Sequence, residues 1–286
     1  MSTTAKPSRF SSVQSSVTNT LSELPWWLLV VLFVGILFVY AFYYDETYIK
    51  IFDFLKEGVL TTIQVTIIAY LFAVTLGLLT GLGRVSKNPI IYNVATLYVQ
   101  VMRGVPILVT ILYVAFVVVP WAIGQVQALG QVSAQAGLLP AENFLAGLTA
   151  QDVDFKVRAI TALAISYGAF SAEIFRAGIE SIGRGQMEAA RSLGMNYFQA
   201  MLHIILPQAI RRVLPPLGND FIAMLKESSL VSVLGVRDIT QLGKLYAASS
   251  FRYFETYNQV AFLYLTMTIL LSLGVKAMER KLSTDG

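Results

Sequence analysis

Three stretches of this sequence are too long and too apolar to belong to an ordinary soluble domain. Residues 26–44, 58–83 and 256–275 contain 19, 26 and 20 residues, and none of these stretches includes Asp, Glu, Lys or Arg. A helix needs about 20 predominantly apolar residues to cross the hydrocarbon core of a bilayer, so each stretch has the length of a membrane span. The sequence therefore predicts an integral membrane protein built from helices.

Three further helices are predicted to span the membrane although they carry charged residues. Residues 92–119 are interrupted by Arg103, and residues 157–178 include Glu173. Residues 203–226 are the most irregular, with three prolines and several charges. Proline is tolerated in a membrane helix when packed neighbours satisfy the freed carbonyl groups. The predicted fold class is therefore all-α, with six transmembrane helices.

The distribution of basic residues predicts the orientation of these spans. Residues 1–25, which are rich in Ser and Thr, are expected to form a disordered tail. This tail and the loops on its side of the membrane hold eight Lys and Arg residues, against six in the opposite loops. Cytoplasmic loops carry the excess of basic residues. We therefore expect a multi-pass protein of a bacterial-type plasma membrane with both termini in the cytoplasm.

Two connecting segments are long enough to have a role of their own. Residues 120–156 form the predicted external loop, which is either a flexible spacer or a carrier of a short amphipathic helix. Residues 179–202 form the predicted cytoplasmic loop, in which Gln186–Leu193 consists of helix-forming residues followed by Gly194. Glycine is common directly after a helix C-terminus. The short helix is either a rigid docking element for a partner protein or an ordinary loop helix.

Composition excludes several classes of function. The chain has no cysteine and a single histidine, His203, so no Cys-based or His-rich metal site is expected. It has no phosphate-binding P-loop and no GxSxG nucleophile motif. The net charge of +4 is explained by basic cytoplasmic loops and needs no nucleic-acid ligand. We predict that the chain is not an enzyme and that any ATP hydrolysis occurs on another subunit.

Four ordered strings of residues resemble one family of transport proteins. The first string is Arg103-Gly-Val-Pro106, and the second runs from Ser171 to Ile179. The third contains Glu188-Ala189-Ala190, then Gly194, then Ile205-Leu-Pro207. The last runs from Leu225 to Val233. Together they resemble the permease subunits of binding-protein-dependent ABC importers, in the branch that carries polar amino acids. The similarity extends over about residues 58–282.

The resemblance implies a type I importer fold of five core helices within residues 58–282, to which this chain adds the helix at 26–44. It implies an EAA-motif coupling helix at 186–195 that docks on the ATPase, formed by the following residues: Glu188, Ala189, Ala190, Arg191 and Gly194. It also implies a second permease copy or a sister permease, two cytoplasmic ATPase subunits that bind ATP and Mg, and an external substrate-binding protein.

Ionisable residues at membrane depth are costly and are usually paired or functional. Arg103 is followed by Gly104 and Pro106, which should break the helix, and broken helices in transporters expose backbone groups to a cavity. Arg103 and Glu173 therefore have three interpretations. They pair in a structural or gating role, they separately bind the ammonium and carboxylate of an amino acid, or Arg103 extends to the membrane surface.

Asn219 and Asp220 are further candidates for the substrate pathway. They follow Pro215 and Pro216, which loosen backbone hydrogen bonding in the sixth helix. The alternative is that Asp220 lies at the interface and is solvated there. The resemblance thus implies the permease subunit of an ATP-driven importer of polar amino acids. The alternative function is a self-contained secondary transporter or channel for small polar solutes.

Overall fold

The computed structural model describes residues 26–140 and 142–284, so the predicted tail at 1–25 lies outside the described residues. All of the regular secondary structure in the described part is helical. Helices α1 to α6 are as follows: Trp26–Tyr44, Glu46–Arg84, Pro89–Gly104, Ile107–Tyr113, Val119–Gln135 and Phe144–Gly147. Helices α7 to α12 are as follows: Phe155–Glu180, Arg184–Ser192, Tyr197–Ala200, Leu206–Glu227, Ile239–Ser250 and Tyr253–Thr284.

Short stretches of other helix types complete the chain. Two π-helical turns, Val114–Val118 and Met201–Ile205, lead directly into α5 and α10. Two 3₁₀ segments, Ala150–Asp152 and Ser228–Leu234, precede α7 and follow α10. Each π-helical turn ends two residues before a proline, Pro120 or Pro207. Because proline has no N–H to donate, the regular hydrogen-bond ladder cannot continue there.

The chain divides into two compact units, residues 1–52 and 53–286. Where it is described, the first unit consists of α1 and the beginning of α2. In the second unit α7 is the central helix, and it contacts α3, α4 and α10. The main apolar core combines buried residues of α2, α4, α7 and α10, including Val65, Ile111, Leu163 and Met224.

Close packing around α7 depends on small residues. The added Cβ of an alanine at Gly77 in α2 would lie 2.6 Å from the Cβ of Ser171 and 3.0 Å from the backbone nitrogen of Ala172 in α7. Real side chains do not approach this closely, so the glycine is what lets the two helices touch. This contact brings the end of α2 beside the polar residues of α7 described below.

Three helical stretches of the described chain have the length and the apolar composition of membrane spans. These are Glu46–Arg84, Ile107–Gln135 and Tyr253–Lys281, and Leu29–Ala41 is a shorter apolar helix. The predicted spans at 157–178 and 203–226 are helical over their whole length but carry more charges. Other helices surround α7 and bury several of its polar side chains, including Arg158, Ser166 and Ser171. The count of six spans stays a prediction.

One predicted break is present and one predicted boundary differs from the structure. The span expected at 92–119 consists of two helices with the expected break after Arg103, because α3 ends at Gly104 and α4 begins at Ile107. Residues 120–135, expected to belong to an external loop, are the continuation of a helix. No charged residue interrupts this part of the chain before Glu142, so nothing in the sequence forces the helix to stop earlier.

The Arg158 side chain is buried at the beginning of α7, where its guanidinium lies 4.7 Å from the ring centroid of Phe155 and makes hydrogen bonds to carbonyl groups. It donates to the carbonyl oxygens of Ala115 at 2.8 Å, Val153 at 3.0 Å and Ala150. The Ala115 carbonyl lies in the first π-helical turn, where Pro120 removes the N–H five residues ahead. Arg158 therefore satisfies a carbonyl that the proline leaves free, which is how proline becomes tolerable in a membrane helix.

Candidate functional site

Helix α8 is the predicted coupling helix, and the structure confirms that a short helix with a glycine cap exists there. It spans Arg184–Ser192, slightly earlier than the 186–195 expected. Gly194 adopts φ +86°. Its N–H bonds the Arg191 carbonyl at 3.0 Å, and the Met195 N–H bonds the Ala190 carbonyl at 3.2 Å. This pair of bonds is the Schellman motif, which requires a left-handed residue and therefore favours glycine at this position.

The residues of α8 divide into three faces. Ala190 is 5% exposed and packs inward, where α8 contacts the π-helical turn at 201–205. Glu188 and Arg191 line a cavity on the flank of the helix. Ala189 is exposed, and Leu193, directly after the helix, is 82% exposed.

The predicted coupling residues therefore lie in different environments. Among the residues of the EAA triplet, only Ala189 lies outside both the buried face and the cavity. Leu193 was missed by the sequence analysis, although a large apolar residue next to a capping glycine could have drawn attention to it. An exposed leucine of this size is a natural contact for a partner protein, because burying it contributes about 1.5–3 kcal/mol.

Glu173 lies at the centre of an ion-pair cluster formed by α2, α3 and α7. Its carboxylate accepts hydrogen bonds from Arg84 and Arg176, and the Arg103 guanidinium lies 3.7 Å from it. Arg176 also pairs with Glu180, one turn further along α7. Of the three interpretations of Arg103 and Glu173, pairing agrees with this contact, but Arg103 is the most distant of three arginines. We call these five residues the Glu173 cluster.

The helix break predicted after Arg103 is also present. Gly104 ends α3, and Pro106 precedes α4 with an extended backbone conformation. Both residues are exposed, and the guanidinium of Arg103 lies 6.0 Å from the ring centroid of Phe170. The break changes the direction of the chain beside the Glu173 cluster.

Asp220 belongs to a second polar group on α10. Its carboxylate accepts a hydrogen bond from the Ser171 hydroxyl at 3.1 Å, and the Tyr70 hydroxyl donates to the Leu217 carbonyl at 2.5 Å. Asn219 is exposed. Pro215 and Pro216 lie inside α10, which continues through both. The structure thus places the predicted pathway residues in two separate clusters along α7, and the described residues form no group of side chains suited to a metal ion.

The comparisons with known proteins identify the family. Residues 73–284 match the model of the binding-protein-dependent transport system inner membrane component. This range includes α8, the whole Glu173 cluster and the Asp220 group apart from Tyr70. The chain belongs to this family. The match covers every string on which the sequence resemblance depended, so that recognition is confirmed.

Relatives of this ABC importer permease carry names that refer to amino acids. A probable amino-acid permease protein of Bacillus subtilis, YxeN, is 37% identical over 238 residues, which are 83% of this chain and 95% of the relative. A probable glutamine ABC transporter permease protein of the same organism, GlnM, is 37% identical and covers 81% of this chain and 94% of its own length. The glutamine transport system permease protein GlnP of Escherichia coli is 31% identical over 80% of this chain and 92% of the relative.

Solved structures confirm the permease fold. A crystal structure of an amino acid ABC transporter with histidines is 35% identical to this chain, with a TM-score of 0.66, and covers 82% of this chain and 96% of its own. An inward-facing structure of the MetNI methionine ABC transporter is 19% identical, with a TM-score of 0.61 over 80% of this chain and 96% of its own, which supports the fold alone. The all-α type I importer fold expected from the sequence is therefore confirmed.

Proposed function

We propose that this permease carries polar amino acids as the translocation subunit of an ATP-driven importer. The relatives above are named for amino acids and glutamine, and the 35% identical structure is an amino acid transporter. In this proposal two ATPase subunits bind ATP and Mg on the cytoplasmic side, which is also the side of both termini. An external binding protein delivers the substrate, and a second permease completes the pathway.

The observation that carries the coupling mechanism is the exposed side of α8. Ala189 and Leu193 are exposed in the described chain, and Ala190 is 5% exposed and holds the helix to the permease. A helix that is fixed on one side and exposed on another can transmit a displacement from a partner to the membrane helices. We assign the ATPase contact to this exposed side, with Gly194 fixing the end of the helix.

The proposal predicts that Leu193→Asp uncouples ATP hydrolysis from transport, because it places a charge where an apolar contact is expected. The assay uses the full permease complex in proteoliposomes and measures uptake of labelled glutamine together with ATP hydrolysis. We expect a loss of uptake of at least about tenfold, equivalent to roughly 1.4 kcal/mol of contact free energy. Leu138→Asp is the matched control, because Leu138 is 78% exposed but lies outside α8.

Three outcomes would contradict the proposal. Equal uptake by the Leu193 and Leu138 variants would exclude the docking role of α8. Uptake that proceeds without the ATPase subunits would favour the alternative of a self-contained transporter or channel. Absence of uptake for every member of a panel of labelled polar amino acids would exclude the substrate class.

A further inference from the structure

A cavity of about 940 Å³ lies between the flank of α8 and the junction of α2 with α3. Basic side chains at three positions line it, namely Arg84, Lys87 and Arg191, and Tyr92 and Tyr197 add hydroxyl groups. Ligand pockets in proteins commonly have volumes of about 300–1,000 Å³, so the cavity is large enough for a small charged group. The ATPase contact proposed above uses Ala189 and Leu193, which are not part of this lining, whereas Glu188 and Arg191 of the expected coupling residues do line the cavity.

The charges in the cavity leave an excess of one positive charge. Arg84 is paired with Glu173, and Glu180 with Arg176, so each of these two lining residues is neutralised by another side chain. Lys87 and Arg191 are exposed, and within the described residues neither has a carboxylate within 4.0 Å. Glu188 is the remaining acidic residue of the lining. Glu188 offsets one of the two unpaired cations, and the remaining excess of one positive charge in a concave site favours an anion.

An apolar groove of about 250 Å³ adjoins this cavity and shares part of its wall. Val85, Tyr197 and Met201 line both, and Phe198 and Leu202 belong to the groove alone. Phe198 is 72% exposed. A free phosphate ion would use only the basic cavity, whereas an amphiphile with a charged head and an alkyl chain would fill both spaces. Each buried methylene of such a chain contributes about 0.8 kcal/mol.

The geometry points to a binding site for an anionic phospholipid. Its phosphate lies between Lys87 and Arg191, and an acyl chain follows the groove beside Phe198. Basic pockets at the ends of membrane helices bind anionic headgroups in this manner. A lipid in this position touches both the α2–α3 junction and α8, so its presence would influence how α8 is held. The inference rests on the membrane location of the family and not on the proposed coupling or substrate.

The test measures lipid retention by the full-length permease, purified with the subunits that accompany it. The probes are phosphatidylglycerol and phosphatidylcholine with the same acyl chains, and bound copies are counted by native mass spectrometry. A basic residue near a membrane surface attracts anionic lipid by about 1 kcal/mol, so the net excess of one positive charge should give a preference of roughly 5-fold for phosphatidylglycerol. The double variant Lys87→Gln/Arg191→Gln should lose this preference. Lys276→Gln/Arg211→Gln, at two exposed basic positions outside the cavity, should retain it.

Two further comparisons separate the lipid from a free phosphate and from misfolding. Phe198→Ser should weaken retention of phosphatidylglycerol but should leave binding of glycerol 3-phosphate unchanged. The charge-conserving variant Lys87→Arg/Arg191→Lys should keep the preference, which shows that the site itself is intact. Equal retention by the cavity variant and the control would overturn the site. Binding of glycerol 3-phosphate as tight as that of phosphatidylglycerol would overturn the assignment to a lipid. Neither readout involves transport, so failure here is distinguishable from failure of the proposed function.

Discussion

Glu173→Gln should weaken the contact between α2 and α7 more than any other single change in the Glu173 cluster. The Glu173 side chain is 29% exposed, and its two hydrogen-bonded partners, Arg84 and Arg176, are 10% and 26% exposed. Removing its charge leaves three arginines near a single remaining carboxylate, that of Glu180. The Nε atoms of Arg84 and Arg176 are already buried without an acceptor in the described structure, so these guanidinium groups have few other partners.

The expected loss of stability follows from these contacts. A hydrogen bond to a charged group contributes about 1.5–3 kcal/mol, whereas an exposed ion pair contributes at most about 1 kcal/mol. The glutamine still accepts one bond with its amide oxygen, and the site is partly open to solvent, so we expect a total loss of about 3 kcal/mol. For a domain of this size each kcal/mol lowers the unfolding temperature by about 2–4 °C. The thermal midpoint should therefore fall by roughly 6–12 °C.

The control is Glu180→Gln, whose side chain is 52% exposed and pairs with Arg176 alone. We expect a fall below about 4 °C, because an exposed pair contributes less than about 1 kcal/mol. Both midpoints are measured by intrinsic fluorescence in the same detergent. A shift for Glu173→Gln that is no larger than the control shift would refute the central position of Glu173. Reversing both charges, as Arg103→Glu/Glu173→Arg, should not rescue stability or uptake, since the new arginine would face Arg84 and Arg176.

The remaining predictions concern the loops around α11. Phe251, which follows α11, has φ +60° although it is not glycine, and it is 80% exposed. Phe251→Gly should raise the unfolding free energy by about 0.5–1 kcal/mol, because it relieves a left-handed conformation at the cost of chain entropy. Phe254→Gly, in the first turn of α12, should lower the unfolding free energy. A lower thermal midpoint for Phe251→Gly would contradict this prediction. Burial raises the pKa of the Asp238 carboxyl, although the Gln241 N–H bonds it at 2.8 Å. A group with a raised folded-state pKa stabilises fully below its unfolded pKa and loses that contribution as the pH rises through the folded pKa. The thermal midpoint of Asp238→Asn should therefore decline less than that of the parent as the pH rises above the ordinary aspartate pKa of about 4, and parallel pH profiles would exclude this cause.

Local features of the site could be predicted from the sequence because they depend on adjacent residues. The helix α8 and its capping Gly194 follow from a short run of helix-forming residues and the need for a left-handed residue after it. The break after Gly104 follows from a proline two residues later. In both cases the relevant interactions lie within a few residues of each other along the chain.

The partners of Glu173 could not be predicted in the same way. Arg84 is 89 residues away in the sequence and reaches Glu173 only because α2 packs closely on α7. Arg176 is one turn away on the same helix, and that spacing favours an ion pair, but the sequence analysis paired Glu173 only with Arg103. The exposure of Leu193 likewise depends on which face of α8 the permease itself covers, and one sequence does not contain that information.

The two ends of α7 are fixed by different interactions. Arg158 binds backbone carbonyl groups at one end, and the carboxylate of Glu173 pairs with arginines near the other. Arg158 and Glu173 are 15 residues apart, or about 22 Å along the helix. Dissolved salt weakens attraction between charged side chains that are partly open to solvent. It has less effect on buried bonds from one cation to neutral carbonyl groups. A rise in ionic strength should therefore loosen α7 near Glu173 first, while the end at Arg158 stays in place. The end that loosens is the one that leads into α8.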